Sequence, residues 1–155
     1  MPNRHLYLQT ATTSQYVAQI IEHQLASVGI AGSLLALLTH VRDLQPVSPS
    51  ELSRAAGSPP TTLRDNIQRL VDRKLVRRVP NPADGRSYLV RTTPRGIRTL
   101  TRADPVLLDA YLALEARLPR PRAEYERMLA ELNDALGGAL DELGGATEVR
   151  ESAAG

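Results

Sequence analysis

The chain has 155 residues, a length that fits one domain or a small two-part protomer. Its composition is 42% hydrophobic and 23% charged, which is close to globular averages and argues against a fibrous or wholly disordered chain. Cysteine is absent, which excludes disulfides, thiolate zinc sites and thiol redox switches. Because no apolar run reaches the length of a membrane span and residues 1–10 lack a cleavable signal pattern, we expect a cytoplasmic protein.

The net charge of +2 is unevenly distributed along the chain. Residues 48–98 contain eleven basic and four acidic side chains, whereas residues 99–155 contain six basic and eleven acidic ones. A basic central third is typical of a polyanion-binding element. A solvated charged surface would explain the same pattern, so charge alone leaves both interpretations open.

Apolar residues at helical spacing predict a first helix over residues 13–28, ended by Gly29. A second helix is predicted over residues 33–44. Leucines and Val41 cover more than half of its circumference, so it should be buried. Pro46 then ends the helical pattern, because proline disfavours helix at the residue before it.

Three further helix starts follow. Residues 48–51 (SPSE) form a capping box, in which the Ser48 hydroxyl accepts a backbone N–H bond and Glu51 reaches back to the cap residue. This short helix should end near Gly57. Residues 58–60 (SPP) start a helix that runs to about residue 74, and residues 93–94 (TP) start the third.

Two strand-like segments, residues 75–79 and 87–92, lie between the second and third of these starts. The connection over residues 80–86 contains two prolines and an Asp-Gly pair, which argue against helix. The pattern predicts a hairpin with a basic tip.

After residue 93 the sequence predicts only helices. Pro105 should kink or split the first of them, with Asp104 as a new cap, before it continues to Leu118. Residues 119–121 (PRP) predict a corner, and a last amphipathic helix follows. Residues 145–155 are small and polar, and we expect them to be disordered.

A helix, a short helix, a turn, another helix and a two-stranded hairpin make the layout of a winged helix-turn-helix. In that layout the helix after the turn enters the major groove of DNA. Arg64 suits a guanine edge, Gln68 suits an adenine edge, and the threonines suit phosphates or a thymine methyl. The predicted DNA-binding residues are Ser58, Pro60, Thr61, Thr62, Arg64, Gln68, Arg69, Arg77 and Arg86.

The segments SELSRAAGS (50–58), LVDRKLVRR (70–78), NPADGR (81–86) and TTPRG (92–96) resemble the MarR family of winged helix-turn-helix transcriptional regulators in order and spacing. The resemblance covers about residues 34–100 and implies that Asp84 orients Arg86 toward the minor groove. There are two departures. Lys74 stands where the family usually has glycine, which predicts a strained or differently shaped corner, and Asp65 stands where a basic residue is common.

The expected fold class is mainly α with a small β-hairpin wing, a winged helix-turn-helix plus a helical dimerisation region from both termini. The apolar stripes of the terminal helices could pack within one chain, but the resemblance implies that they interlace in a homodimer. The predicted domains are residues 1–32 (N-terminal dimerisation helix), 33–98 (DNA-binding domain), 99–144 (C-terminal dimerisation helices) and 145–155 (tail).

The predicted function is a sequence-specific transcriptional regulator of the repressor type that binds a pseudo-palindromic operator in double-stranded DNA. The alternative is a winged-helix module that binds another protein. The resemblance also implies a small aromatic effector, for which Tyr16, His23, His40 and Tyr111 could supply polar groups, although core packing explains these residues equally well. Histidines without metal-site spacing and the lack of a catalytic motif predict no metal, no cofactor and no enzymatic activity.

Overall fold

The structure, a computed structural model, describes the backbone of residues 5–152 and the side chains of residues 5–143. Within this range the elements are α1 (His5–Leu25), α2 (Gly32–Leu44), α3 (Pro49–Ala56), α4 (Pro60–Asp72), β1 (Val76–Pro80), β2 (Tyr88–Thr92), α5 (Pro94–Glu115) and α6 (Arg122–Ser152). The chain divides into two compact units, Met1–Ala113 and Leu114–Gly155. The predicted fold class, mainly helical with one hairpin, is confirmed.

Helix α1 begins eight residues before the predicted start at residue 13 and ends at Leu25, three residues before the predicted end. No proline or glycine interrupts residues 5–12, and the Thr10 hydroxyl donates to the carbonyl oxygens of Leu6 (3.0 Å) and Tyr7 (2.9 Å). The predicted stop residue, Gly29, adopts the left-handed conformation with φ 72°.

Helix α2 is the centre of the core in the first unit, as its leucine-rich sequence predicts. Its buried side chains pack with residues from α3, α4, the hairpin and α5. The largest fully buried side chains of this cluster are Leu25, Leu34, Leu38, Val41, Leu52, Ile67, Leu70 and Val90. The core therefore fixes α4 and the hairpin to the same support.

Two long-range polar contacts tie the α1–α2 junction to its surroundings. The carboxylate of Glu22 accepts a 2.6 Å hydrogen bond from the backbone N–H of Gly32, the first residue of α2. A negative charge at this position is favourable to the helix dipole. The guanidinium of Arg73, just after α4, donates to the carbonyl oxygen of Gly29 at 2.5 Å.

The predicted capping box of α3 is present. The Ser48 hydroxyl oxygen accepts from the N–H of Glu51 at 3.3 Å, and the Glu51 carboxylate accepts from the Ser48 N–H at 2.9 Å. The Ser48 hydroxyl also donates to that carboxylate at 2.7 Å. These bonds lower the pKa of Glu51, the side-chain bond more than the backbone one. Gly57 ends the helix with φ 57°.

The hairpin pairs antiparallel from Val76 opposite Thr92 to Pro80 opposite Tyr88. A short extra bridge was not predicted from the sequence: Val47 exchanges two backbone hydrogen bonds with Val90, of 3.2 and 2.8 Å. The Gln45 side-chain oxygen accepts from the N–H of Thr92 at 2.9 Å. The segment after α2 is therefore joined to the wing by a single β-bridge.

Helix α5 is continuous across Pro105, so the predicted split with Asp104 as a new cap is wrong. Leu100, Ala103 and Leu107 are buried on both sides of the proline. Burial of this face offsets the one backbone hydrogen bond that proline removes. The helix ends at Glu115, before the predicted end at Leu118.

In the second unit, α6 follows the predicted Pro-Arg-Pro corner. Arg120 in this corner forms an exposed ion pair with Glu124 on α6 (3.8 Å), and Arg122 forms one with Glu126 within α6 (3.1 Å). It extends to Ser152, which contradicts the predicted disorder over residues 145–152. Most residues from 146 to 152 are compatible with helix, which explains the extension. The predicted disorder of residues 153–155 lies outside the described residues. In the part of the chain that the structure describes, no helix combines the length and apolar character needed to cross a membrane.

Candidate nucleic-acid interface

The exposed face of α4 carries the side chains that the sequence predicts for base recognition. Leu63, Ile67 and Leu70 are buried and Val71 is half-buried, which fixes the rotation of the helix. The opposite face is therefore directed to solvent. It consists of Thr61, Thr62, Arg64, Asp65, Gln68 and Arg69, all of them exposed.

The N-terminus of α4 leaves backbone donors unclaimed by any side chain. Its cap residue is Pro59, which makes no side-chain capping bond, and Pro60 is the first helical residue. Ser58 is half-buried, and its carbonyl oxygen accepts a 2.6 Å bond from the Ser53 hydroxyl. Free N–H groups at a helix start and the positive end of the helix dipole form a site suited to an anion.

A chain of side-chain contacts connects α4 to the wing. Arg78 on β1 donates a 2.7 Å hydrogen bond to the side-chain oxygen of Gln68 on α4. The Gln68 side-chain nitrogen donates to Asp72, one turn later, also at 2.7 Å. The guanidinium of Arg78 lies over the ring of Tyr88, 4.7 Å from its centroid. Arg78 is therefore held in place and is not a freely solvated charge.

The tip of the wing is organised by its own polar side chains. The Asn81 oxygen accepts from the N–H of Ala83 (3.0 Å), and its nitrogen donates to the Ser87 hydroxyl (2.9 Å). The Asp84 carboxylate accepts from the backbone N–H of Arg86 at 3.0 Å. Asp84 thus fixes the backbone of Arg86, whose side chain is exposed.

The outer face of the wing contains a basic residue that sequence reasoning missed. Arg77 lies directly opposite Arg91 in the hairpin, and both side chains are exposed. The signal for Arg91 was available in the sequence, because alternation that turns Val90 inward turns Arg91 outward. Arg73, which is also basic, contacts the Gly29 carbonyl.

The family model described as MarR family matches residues 29–87. This match covers α2, α3, α4, β1 and the tip of the wing. The chain has a fold similar to that of a mutant of MarR from E. coli complexed with operator DNA (23% identity, 82% of this chain and 92% of that one, TM-score 0.74). Among curated protein sequences, none matches the chain.

Two other structures with the MarR fold have comparable similarity. One is the M. tuberculosis transcriptional regulator MOSR in complex with DNA, with 22% identity over 85% of this chain and 96% of that one and a TM-score of 0.74. The other is Bordetella bronchiseptica BpsR, whose DNA binding is regulated by 6-hydroxynicotinic acid. It has 22% identity over 83% of this chain and 98% of that one, with a TM-score of 0.73.

The departure from the MarR pattern at residue 74 has a structural consequence. Lys74 has φ 58°, and among the described residues other than glycine it alone has a positive φ. The Thr93 hydroxyl donates to the Lys74 carbonyl at 2.7 Å and accepts from the N–H of Gly96 at 3.1 Å. The predicted strain at this corner is confirmed, and Thr93 holds it while capping α5.

The side chains that the MarR resemblance suggested for an effector are spread over three helices. Tyr16, His23 and Tyr111 are exposed, and His40 is half-buried. His40 lies near Asp43, whose pKa is lowered mainly by a hydrogen bond from Arg42. None of these four side chains lines the cavity of about 300 Å³ between α2 and α3, whose lining residues are Leu44, Val47, Glu51, Arg54 and Ala55. Among the described residues, no cluster of three or more possible metal ligands occurs.

Proposed function

We propose that this chain is a MarR-like, sequence-specific regulator of transcription that binds double-stranded DNA. The observation that carries the proposal is the exposed face of α4, which presents Arg64 and Gln68 on a helix whose start has no side-chain cap. Arginine and glutamine are the side chains that read guanine and adenine edges, and the helix start suits a phosphate. The role is binding, not catalysis, and its place is the cytoplasm, where DNA is accessible to such a regulator.

The wing extends the proposed surface beyond the helix. Arg86 at the tip is directed to solvent while Asp84 holds its backbone, which suits insertion of one cation into the adjacent minor groove. The remaining predicted residues complete the surface by contacting the DNA backbone. They are Ser58, Pro60, Thr61, Thr62, Arg69 and Arg77. Phosphate contacts would set the register of the helix, and base contacts would set the sequence.

The proposed regulator is a homodimer. Helix α1 exposes Leu6, Tyr7, Leu8, Tyr16, Val17 and Ile20, and α6 exposes Met128, Leu129, Leu136, Leu140 and Leu143. Exposed apolar side chains along whole helices are typical of subunit interfaces. We assign residues 1–32 and 99–144 to dimerisation and residues 33–98 to DNA binding. A two-fold dimer would bind a pseudo-palindrome with half-sites about ten base pairs apart.

We further propose repression that a small aromatic effector relieves. The similar protein BpsR provides the precedent, because 6-hydroxynicotinic acid regulates its binding to DNA. In this chain Tyr16 and Tyr111 lie on apolar helix faces that the dimer would cover, with His23 and His40 as further polar groups. An effector would act by binding one spacing of the two DNA-binding lobes more tightly than the other.

The experiment measures binding to duplexes selected from a random pool of about 24 base pairs, compared with unselected duplex, over a range of salt concentrations. The affinity should fall steeply with salt, so that the logarithm of the binding constant changes with the logarithm of the salt concentration by about −0.9 per phosphate neutralised. Arg64→Ala should cost about 1–3 kcal/mol on selected duplex and relax the preference, whereas Arg77→Ala should weaken both duplexes alike. If the folded protein binds no duplex at low ionic strength, the proposal is wrong and a protein partner takes its place.

A further inference from the structure

The contact between Gln68 and Arg78 determines which way the Gln68 amide points. Arg78 can only donate hydrogen bonds, and the Asp72 carboxylate can only accept them. The Gln68 oxygen must therefore face Arg78 and its nitrogen must face Asp72, because the reversed amide would set donor against donor and acceptor against acceptor. The two neighbours make one of the two amide orientations strongly preferred.

Arg78 is itself held in position by the wing. Its guanidinium lies over the ring of Tyr88, which is half-buried and packs against the core. A cation placed 4.7 Å from a ring centroid is within the attractive range for such a pair. The orientation of the Gln68 amide on α4 therefore depends on the position of Arg78 and Tyr88 in the hairpin.

The oriented amide keeps free capacity for a base. Its oxygen has a second lone pair and its nitrogen has a second hydrogen. Adenine offers one donor and one acceptor in the major groove, whereas guanine offers two acceptors at the same edge. An amide of fixed direction can therefore match adenine and reject guanine, while a freely rotating one discriminates less well.

We propose that Arg78 and Asp72 are positioning residues that orient the Gln68 amide for recognition of one adenine-containing base pair. This inference rests on the proposed function. Neither residue has to touch DNA in this role. It also differs from the usual expectation for an arginine at this point of a wing, which is a contact with the DNA backbone or a solvated charge.

The test compares five variants with the wild-type protein on the duplex that the wild-type protein selects, in which one base pair is substituted at a time. Gln68→Ala should remove the preference at one position, worth about tenfold. Arg78→Met, which keeps an unbranched side chain against Tyr88, and Asp72→Ala should each lose about threefold or more at that same position. Arg77→Met removes a charge from the other face of β1 and should weaken every duplex without changing the preference.

Stability and the amide signal separate positioning from simple unfolding. Asp72 lies in the last turn of α4, where a negative charge is unfavourable to the helix dipole, so Asp72→Ala should not lower the melting temperature. In NMR spectra of the free protein, the two side-chain amide protons of Gln68 should shift in Arg78→Met and Asp72→Ala but not in Arg77→Met. Arg78→Lys should keep part of the preference, since lysine can still donate to Gln68.

The outcomes distinguish this inference from the proposed function. If the wild-type protein selects a sequence but Arg78→Met and Asp72→Ala keep the full preference, the positioning role is overturned and the proposed function stands. A preference that survives in Gln68→Ala also overturns the inference. If the wild-type protein binds no duplex at all, the proposed function fails and the inference fails with it.

Discussion

Arg77 and Arg91 lie directly opposite each other on the outer face of the wing. Like charges in this arrangement destabilise a strand pair, by a few tenths to about 1 kcal/mol. Among the residues whose side chains the structure describes, no carboxylate forms an ion pair with either guanidinium. The pair therefore has a cost for folding, which an anion bound between the two guanidinium groups would reduce.

Arg91→Gln should change stability and DNA binding in opposite directions. We expect the free energy of unfolding to rise by about 0.2–1 kcal/mol, while affinity for any duplex falls and the salt slope decreases by about 0.9. Urea denaturation and salt-dependent anisotropy measure the two effects. Adding Arg77→Gln should bring little further stability, because the repulsion is already gone; full additivity would contradict the pairing.

Gly96→Ala should destabilise the protein by about 1–3 kcal/mol, as overpacking does. A Cβ at residue 96 would collide with the backbone carbonyl of Leu75. The backbone cannot move aside as a flexible side chain could. Gly138→Ala in α6 is the matched control, because nothing lies within 4 Å of the added atom. There the alanine should stabilise the helix by about 0.5–1 kcal/mol. Thermal unfolding measures the change in stability of each variant. A change of the same sign in both variants would rule out the collision at residue 96.

Lys74→Gly should stabilise the protein. The left-handed conformation of Lys74 is costly for a residue with a side chain, and glycine removes that cost at the expense of a more flexible unfolded chain. We expect a net gain of about 0.5–1 kcal/mol in denaturant unfolding. Gly57→Ala, at φ 57° in open space, should show the reverse sign. A loss of stability in Lys74→Gly would mean that its side chain contributes more than the backbone costs.

The capping box should make part of the stability depend on pH. Because the folded-state pKa of Glu51 is lowered by Ser48, its contribution is fully present above the unfolded-state pKa and is lost as the pH falls through the lowered folded-state pKa. Glu51→Gln should be less stable than the wild-type protein at neutral pH, and the difference should shrink in acid. Denaturation curves at neutral pH and at about pH 3 would measure this. An equal difference at both pH values would exclude the carboxylate as the cause.

The elements of the winged helix-turn-helix were well predicted because their signals are local. A capping box needs only Ser48 and Glu51, and a helix end at Gly57 needs only one residue without a side chain. Prediction was poorer where a distant contact decides the outcome. Pro105 should interrupt a helix on local grounds, yet burial on both sides of it keeps α5 continuous.

The candidate site divides in the same way. Hydrophobic periodicity was sufficient to predict which residues of α4 face solvent, since a helix has one buried face. It could not predict that Gln68 meets Arg78, ten residues later on a strand, or that Asp84 holds the backbone of Arg86 and not its side chain. Those contacts depend on hairpin register and on how the wing packs beside α4.

The sequence by itself determined the order of the elements, their caps and turns, and the basic character of the central third, because each of these depends on residues within about one helical turn or on composition. Only the tertiary structure decided that Arg77 opposes Arg91, that Val47 pairs with Val90 and that Arg78 holds Gln68. These pairs join residues far apart in the chain. Their geometry is set by the shared core of α2, α4 and the hairpin, and a one-residue change in register would remove them.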